Sequence, residues 1–313
     1  MDWRFKACLQ GVFSLLPWGE RLNHVFQRYV THTLPLDENR FQGMLSTSKQ
    51  HVENLRMHVS KPLEQAVFYE FGTGWDLLIP LAYWALGIEK QILVDIRPLV
   101  RPALVNDAIE RFSRIPTPFP LRRKPAATLP TDAEYVQELR KRYGIDYRAP
   151  CDARATGMAQ DSVDCISSTN ALNHIPVGDV RGILRECHRL LGHGGAASFL
   201  IDYKDNYSYF DPRISAYNFL RYSEERWRFF SPALHYQNRL RHRDFMILCE
   251  EAGFEVVEAR TMGGTSEDLR LLQALDLDEQ FKRYRIEDLA VRSCWMTLRK
   301  RGEASGVSRV TGT

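Results

Sequence analysis

The chain of 313 residues predicts an α/β fold organised on a mostly parallel sheet. Three observations carry that expectation. An apolar run, "AVFYEF" (66–71), ends in Gly72-x-Gly74, passes into a helical stretch and meets a second run, "QILVDI" (91–96). Strand, glycine turn, helix and strand in that order spell a βαβ unit, whose strands must lie parallel. Further short apolar runs follow, separated by segments of helical period, and nothing before residue 64 has strand character.

Taken in order, residues 1–64 form a helical N-terminal extension. The opening "MDWRFKACLQGVFSLLPWG" (1–19) is interrupted by Gln10, Gly11 and Ser14 and ended by Pro17. It falls far short of the ~20 apolar residues that span a bilayer. An amphipathic helix packed on its own domain, rather than on a membrane surface, is the expectation. Leu22, Val25, Phe26, Tyr29 and Val30 share one helical stripe, and Val52, Leu55 and Val59 repeat the spacing.

The sheet domain occupies 65–301. After its first strand, "WDLLIPLAYWALG" (75–87) reads as a helix closed by Gly87, with Pro80 tolerated near the first turn. A proline-rich loop, "RIPTPFPLRRKPAATLP" (114–130), precedes a helix at 132–143 and a short third strand near 146–151. The fourth strand is 163–168. A helix from about Gly178 carries the stripe Val180, Ile183, Leu184, Cys187, Leu190 and Leu191, and Gly194-Gly195 turns into a fifth strand, "AASFLIDY" (196–203). Residues 204–242, rich in aromatics and arginine, break the rhythm as an inserted lid. Phe245, Leu248, Cys249 and Ala252 resume a helix stopped by Gly253. "FEVVEAR" (254–260) and "SCWMTLRK" (293–300) are the last strands, flanking a helical insert at 263–290. The tail 302–313 is small and polar and expected to be disordered.

An apolar content of 44% with 26% charged residues is that of a soluble globular protein. A formal net charge of +3 argues against a nucleic-acid partner, and the short basic clusters at 122–124 and 239–243 read as solvated faces. The six cysteines are scattered, without a C-x-x-C pair or a cluster with histidine. No zinc site is expected, and a reduced, cytoplasmic setting fits them best.

The glycine turn is where a ligand would sit, because open α/β sheets bind beyond the carboxyl ends of their strands. A P-loop needs Lys-Ser/Thr after its glycines, and none follows Gly74. A dinucleotide fingerprint wants a small residue at 77, where Leu77 would push the helix off the strand. A third reading, an acidic residue ahead of Gly-x-Gly, fits Glu70-Phe71-Gly72-Thr73-Gly74. With Asp95 ending the second strand, Cys151-Asp152-Ala153, Ser162-Val163-Asp164 with "CISSTNALNHI", and "ILRECHRLLGHGG", most of the chain resembles the class I S-adenosylmethionine-dependent methyltransferases.

The resemblance implies a seven-stranded Rossmann-like sheet, mostly parallel with the last strand antiparallel, and S-adenosyl-L-methionine as cofactor. It places Glu70, Gly72, Thr73, Gly74, Asp95, Ile96, Asp152, Ala153 and Asn170 on the cofactor. Asp95 would accept from the ribose hydroxyls, and Asp152 would meet the adenine amino group. Asp76 stands where a third glycine is frequent, either as a cap on the following helix or as a contact to the donor's positive charge. Gly192-His193 replaces the usual basic-proline pair. The "GTGW" turn and helical N-terminus are similar to bacterial methyltransferases associated with glycans or natural products.

Methyl transfer asks the protein mainly to align donor and acceptor, and an oxygen acceptor also needs its proton removed. His174, after the fourth strand, is the first candidate base. "IDYKDNYSYFD" (201–211) supplies Asp202 and Asp205, a second base or a seat for Mg²⁺. "SPALHYQNRLRH" (231–242) adds His235 with Tyr236, Gln237, Asn238 and Arg239, which suits a polar acceptor; the other reading has Arg239 and Arg241 pairing lid acids. The expected function is methylation of a small-molecule or glycan hydroxyl. The alternative is a catalytically silent module that binds cofactor or a partner chain through 1–64. RNA methylation is disfavoured by the charge balance and the lack of an Asn/Asp-Pro-Pro-Tyr/Phe segment.

Overall fold

The computed structural model describes residues 2–16, 18–19, 22 and 37–302. The expected stripe from Val25 to Val30 and the tail beyond 302 lie outside the described residues.

Seven strands form one sheet: β1 (Val67–Phe71), β2 (Lys90–Val94), β3 (Ile145–Arg148), β4 (Val163–Thr169), β5 (Leu191–Asp202), β6 (Phe254–Gly263) and β7 (Val291–Lys300). Their order is β3-β2-β1-β4-β5-β7-β6. The first five pair parallel, and β7 runs antiparallel to both β5 and β6. The expected mostly parallel sheet with an antiparallel last strand is the observed one. β1 sits at its centre with Phe68 to Phe71 all buried, as a parallel strand covered on both faces requires.

Alternation along β1 sorts the two layers. Tyr69 and Phe71 pack with α6 (Val177–Leu190) and α8 (His242–Glu251). Phe68 packs on the other face with Val52 and Leu55 of α2 (Glu38–Arg56) and Ile79 and Tyr83 of α3 (Leu78–Ala85). On that side α4 (Pro102–Arg114) and α5 (Tyr135–Tyr143) extend the core over Leu93, Ile145 and Tyr147. The sequence stripe of α6 is the buried one: Val180, Leu184, Cys187 and Leu190 are fully enclosed. Four of the six cysteines are buried and all six are free, so the buried ones act as small hydrophobes. No helix among the described residues is long and apolar enough to cross a membrane.

Some boundaries differ from the sequence expectation for local reasons. β3 stops at Arg148, before Pro150, which has no N–H to give a ladder. β5 starts at Leu191, so Gly194-Gly195 lies inside it, at a register shift against β4 rather than in a free turn.

The lid is a set of short 3-10 turns and α7 (Glu224–Phe230). It shares one apolar cluster with α1 (Trp3–Ser14) and with α9 (Ser266–Gln273), α10 (Glu279–Lys282) and α11 (Ile286–Ala290). Trp3 is its centre, its ring 4.7 Å from Phe230 and 5.4 Å from Tyr207. α1 packs with an unusual polarity. Its inward stripe is Trp3, Lys6, Ala7 and Gln10, while Phe5, Val12, Leu15 and Leu16 are exposed.

Candidate functional site

Because β1 to β4 run parallel, their carboxyl ends meet on one edge of the sheet. There they border a cleft of about 350 Å³ whose lining includes Gly72, Gly74, Asp95, Ile96, Asp152, Ala153, Asn170 and His174. The chain thus brings together most of the cofactor-side residues read from the sequence, plus the candidate base.

The glycine turn is shaped by two requirements. Gly72 has φ +72°, and a Cβ there would stand 2.7 Å from the Cβ of Ala171 in the loop after β4. Gly74 has φ +76° with open space where its Cβ would be. Only glycine meets both without strain or loss of room. The next residue, Trp75, is used elsewhere: its carbonyl accepts from Arg101 N at 3.0 Å, and the Arg101 guanidinium lies 5.2 Å over its ring.

Asp95 follows β2 directly and is 7% exposed. Its backbone N donates to Arg148 O at 3.2 Å and its carbonyl accepts from Cys151 N at 2.8 Å, which draws the loops after β2 and β3 together. Asp152 arrives beside it by that stitch. Its carboxylate accepts from Arg154 N at 2.8 Å and from Arg154 Nη2 at 2.6 Å, and these bonds hold it below the usual carboxylate range. The same guanidinium reaches Asp179 at the start of α6. Ile96, exposed to 60% of its surface, offers an apolar face at the cleft mouth near Ala153.

Three cofactor-side candidates are not in the lining. Glu70 is 3% exposed and accepts from Ser167 Oγ at 3.4 Å; burial lifts its carboxyl to about 8. The Thr73 hydroxyl is buried without a partner. Asp76, one residue ahead of the N-cap Leu77, accepts from Leu78 N at 3.0 Å, and burial raises its pKa.

His174 closes the cleft at the end of a 3-10 turn, Leu172–His174. The lid fixes that turn: Asn238 Nδ2 donates to Leu172 O and Ile175 O, both at 2.8 Å, and Asn238 N donates to Asn173 O at 2.9 Å. His174 Nδ1 lies 2.9 Å from Tyr236 O. A carbonyl only accepts, so Nδ1 carries the hydrogen and Nε2 keeps a lone pair. Solvent reaches the ring, but protein crowds it, and that desolvation lowers its pKa below the ordinary histidine value. It is neutral at pH 7. Asn170, in the left-handed region at φ 51°, donates its N–H to Leu200 O at 2.8 Å.

The other catalytic candidates are not in the lining. Asp202 ends β5, 7% exposed, and accepts from Tyr209 Oη at 2.5 Å and Lys204 N at 3.1 Å. His235 packs tilted against Tyr207, ring centroids 4.7 Å apart; its Nε2 is buried without a partner among the described residues, and burial pushes its pKa to about 3. The idea of Asp202 and Asp205 sharing Mg²⁺ is corrected. Asp205 is fully buried in the lid, accepting from Tyr207 N at 2.8 Å and Asn218 Nδ2 at 2.9 Å, and the described residues contain no cluster suited to a metal. Arg239 and Arg241 are structural. Arg241 donates to the carbonyls of Tyr203, Leu289 and Val291, while Arg239 bonds Glu224 and two carbonyls.

Sequence reading missed Arg154 and Asp179. "DAR" placed Arg154 next to a candidate, a signal that was available; Asp179 reaches the cleft only because α6 returns across it. It also missed His51, fully buried on α2, with Nδ1 2.9 Å from Ser198 Oγ and Nε2 3.0 Å from Thr169 Oγ1 in the cleft wall.

Residues 127–199 match the family model described as "Methyltransferase domain", a span from the loop before α5 through most of β5. None of the curated proteins matches the chain. Among solved structures the chain is similar to the 1,6-didemethyltoxoflavin-N1-methyltransferase of Burkholderia thailandensis, at 12% identity over 90% of this chain and 87% of that one, TM-score 0.46. It is similar to the geranyl diphosphate C-methyltransferase of Streptomyces coelicolor A3(2), at 11% identity over 86% of each chain, TM-score 0.45. A third is an S-adenosylmethionine dependent methyltransferase of Mesorhizobium loti, at 13% identity over 80% of this chain and 96% of that one, TM-score 0.41. Identities and scores this low carry no assignment. The family match spans 73 of the 313 residues, and the strand order and the cleft agree with it.

Proposed function

We propose that the chain, whose residues 127–199 match a methyltransferase domain, is a class I S-adenosylmethionine-dependent methyltransferase and that it methylates a hydroxyl of a small polar acceptor, a sugar, glycan or natural product. The observation that carries the oxygen reading is the lone pair on His174 Nε2, held at the cleft edge by the Nδ1 bond to Tyr236 O.

The donor-side residues suit this cofactor. Gly72 and Gly74 leave backbone and open space where a side chain would intrude. Asp95, at the end of β2, is a carboxylate of the kind that accepts from two ribose hydroxyls. Ile96 and Ala153 would border the adenine, and Asp152, once Arg154 yields, its amino group. Asn170 would sit by the methionine part. When bound, S-adenosylmethionine supplies a methyl carbon already activated by its sulfonium sulfur.

What remains for the chain is alignment and a proton. His174 takes the acceptor's hydroxyl proton on Nε2 while Nδ1–H stays on Tyr236 O, which keeps the ring oriented. The Asp202 charge favours the protonated ring. Asn238, by clamping the 172–175 turn, is a positioning residue for this base.

Calorimetry with S-adenosylhomocysteine on the wild type and Asp95→Ala tests the donor half. Mass spectrometry of products from hydroxylated acceptors tests the acceptor half. Methyl groups found on nitrogen or carbon, or a His174→Ala enzyme with unchanged kcat and pH profile, would exclude the oxygen reading.

A further inference from the structure

A second polar cluster lies between α1 and the lid. Lys6 is 3% exposed and Gln10, one turn on, 2%. The Lys6 Nζ sits over the Phe210 ring, and no carboxylate among the described residues forms an ion pair with it. The charges around it are otherwise committed: Asp2 and Asp211 both bind Arg213, and Asp211 also accepts from Trp3 N at 3.1 Å. Gln10 Oε1 and His235 Nε2 are buried without partners. The turn that carries His235 packs on α1, Leu234 N donating to Ser14 Oγ at 3.2 Å, and the next residue, Tyr236, holds His174 Nδ1 by its carbonyl, so the cluster adjoins the candidate base.

A helix that merely packed would turn its apolar residues inward. α1 turns Trp3 and Ala7 inward but encloses Lys6 and Gln10 with them, and it leaves Phe5 and Val12 exposed. An enclosed ammonium with no carboxylate partner among the described residues is costly to keep. It is retained at less cost if an anion completes it.

Resting on the acceptor reading above, we propose that Lys6, with His235, binds an anionic group of the acceptor, a carboxylate or phosphate, and so turns the acceptor's hydroxyl toward His174. The acceptor is then a hydroxy acid or a phosphorylated hydroxyl compound. These atoms are sealed in the closed chain, so α1 moves to admit it. Burial without a counter-charge pushes the Lys6 ammonium down to about 7, and an anion at this place would raise it again.

The test uses the full chain with ¹⁵N-labelled lysine, saturated with S-adenosylhomocysteine, titrated in separate arms with benzoate and with inorganic phosphate. One arm is expected to give saturable binding and to raise the Lys6 pKa by about one unit or more. Lys6→Met is expected to weaken that binding about tenfold or more, and Lys6→Arg to restore much of it, at unchanged S-adenosylhomocysteine affinity. Which arm responds decides between carboxylate and phosphate. A Lys6 pKa that moves with neither anion, or Lys6→Met binding as tightly as wild type, overturns the proposal and leaves the donor reading intact. The pKa arm needs no variant, so a poorly folding Lys6→Met does not blunt the test. Failure of S-adenosylhomocysteine to bind at all would instead overturn the reading on which the proposal rests.

Discussion

Around the donor cleft, the chain delivers its residues locally: Gly72 and Gly74 follow β1, Asp95 and Ile96 follow β2, Asn170 follows β4. Under the lid, contacts join residues some two hundred positions apart, as when Trp3 N donates to Asp211 Oδ2 and Leu234 N to Ser14 Oγ. The charges differ in the same way. Cleft acids meet solvent and arginines, Asp152 and Asp179 sharing Arg154. In the lid Asp205 and Arg241 are enclosed, and beside it Lys6 forms no ion pair with a carboxylate among the described residues. A site on strand ends inherits its geometry from the sheet, whereas a lid must assemble its own. The first is therefore robust to changes elsewhere and the second is not.

That contrast can be broken experimentally, beginning with the largest effect. Trp3→Ala removes the aromatic at the centre of the lid cluster and is expected to destabilise the chain by about 3–5 kcal/mol, read by urea denaturation. S-adenosylhomocysteine affinity of the folded fraction should hold; an equal loss there would mean that the two regions are one cooperative unit. Asp95→Ala should do the reverse, weakening S-adenosylhomocysteine about a hundredfold in calorimetry at little cost in stability. A large drop in unfolding midpoint would show that Asp95 serves the fold first.

pH gives the next effect. Glu70, raised to about 8, keeps a proton in the folded state that the unfolded chain releases, so stability falls as pH rises from about 4.5 to 8. Between pH 6.5 and 8 that is about 2 kcal/mol, and Glu70→Gln should flatten the slope. His51 and His235, both held near 3, stay neutral while the unfolded chain binds protons below about 6.5. Their contribution is lost as pH falls from there toward 3. Denaturation curves from pH 5 to 8 for Glu70→Gln and His235→Asn separate the two slopes; a Glu70→Gln slope equal to wild type would refute the first. The smallest effect is Arg154→Ala, whose exposed pairs should change stability by less than about 1 kcal/mol. It should still alter S-adenosylhomocysteine affinity, since it frees Asp152; no change in either would remove Arg154 from the site.

Much of the cleft lining was legible because its signals are local. A glycine turn after an apolar run, an acid closing the next strand and an asparagine after the fourth are all read within a few residues of a strand end. Glu70, Thr73 and Asp76 were read from the same motif, but β alternation, the turn's path and the bond to Leu78 N at the start of α3 set them off the cleft lining. The acceptor side was hardly legible. Asp202, Asp205 and His235 looked like free polar chemistry, yet Tyr209 and Asn218 engage the first two and the third packs half-buried against Tyr207. Lys6 was passed over within a stretch judged by its apolar residues.

By itself the sequence determined the layer order of the sheet domain, since apolar period and glycine position act over neighbouring residues and a βαβ unit leaves its strands little choice but to run parallel. It marked Gly72 as a turn of close approach, where positive φ and a neighbouring loop exclude a side chain. Only the tertiary structure decided which polar groups are spent and which remain. Arg154 took up Asp152, Tyr236 O set the His174 tautomer, and α1 turned Lys6 inward. Those outcomes depend on desolvation and on partners distant in sequence, and no local pattern of residues encodes either.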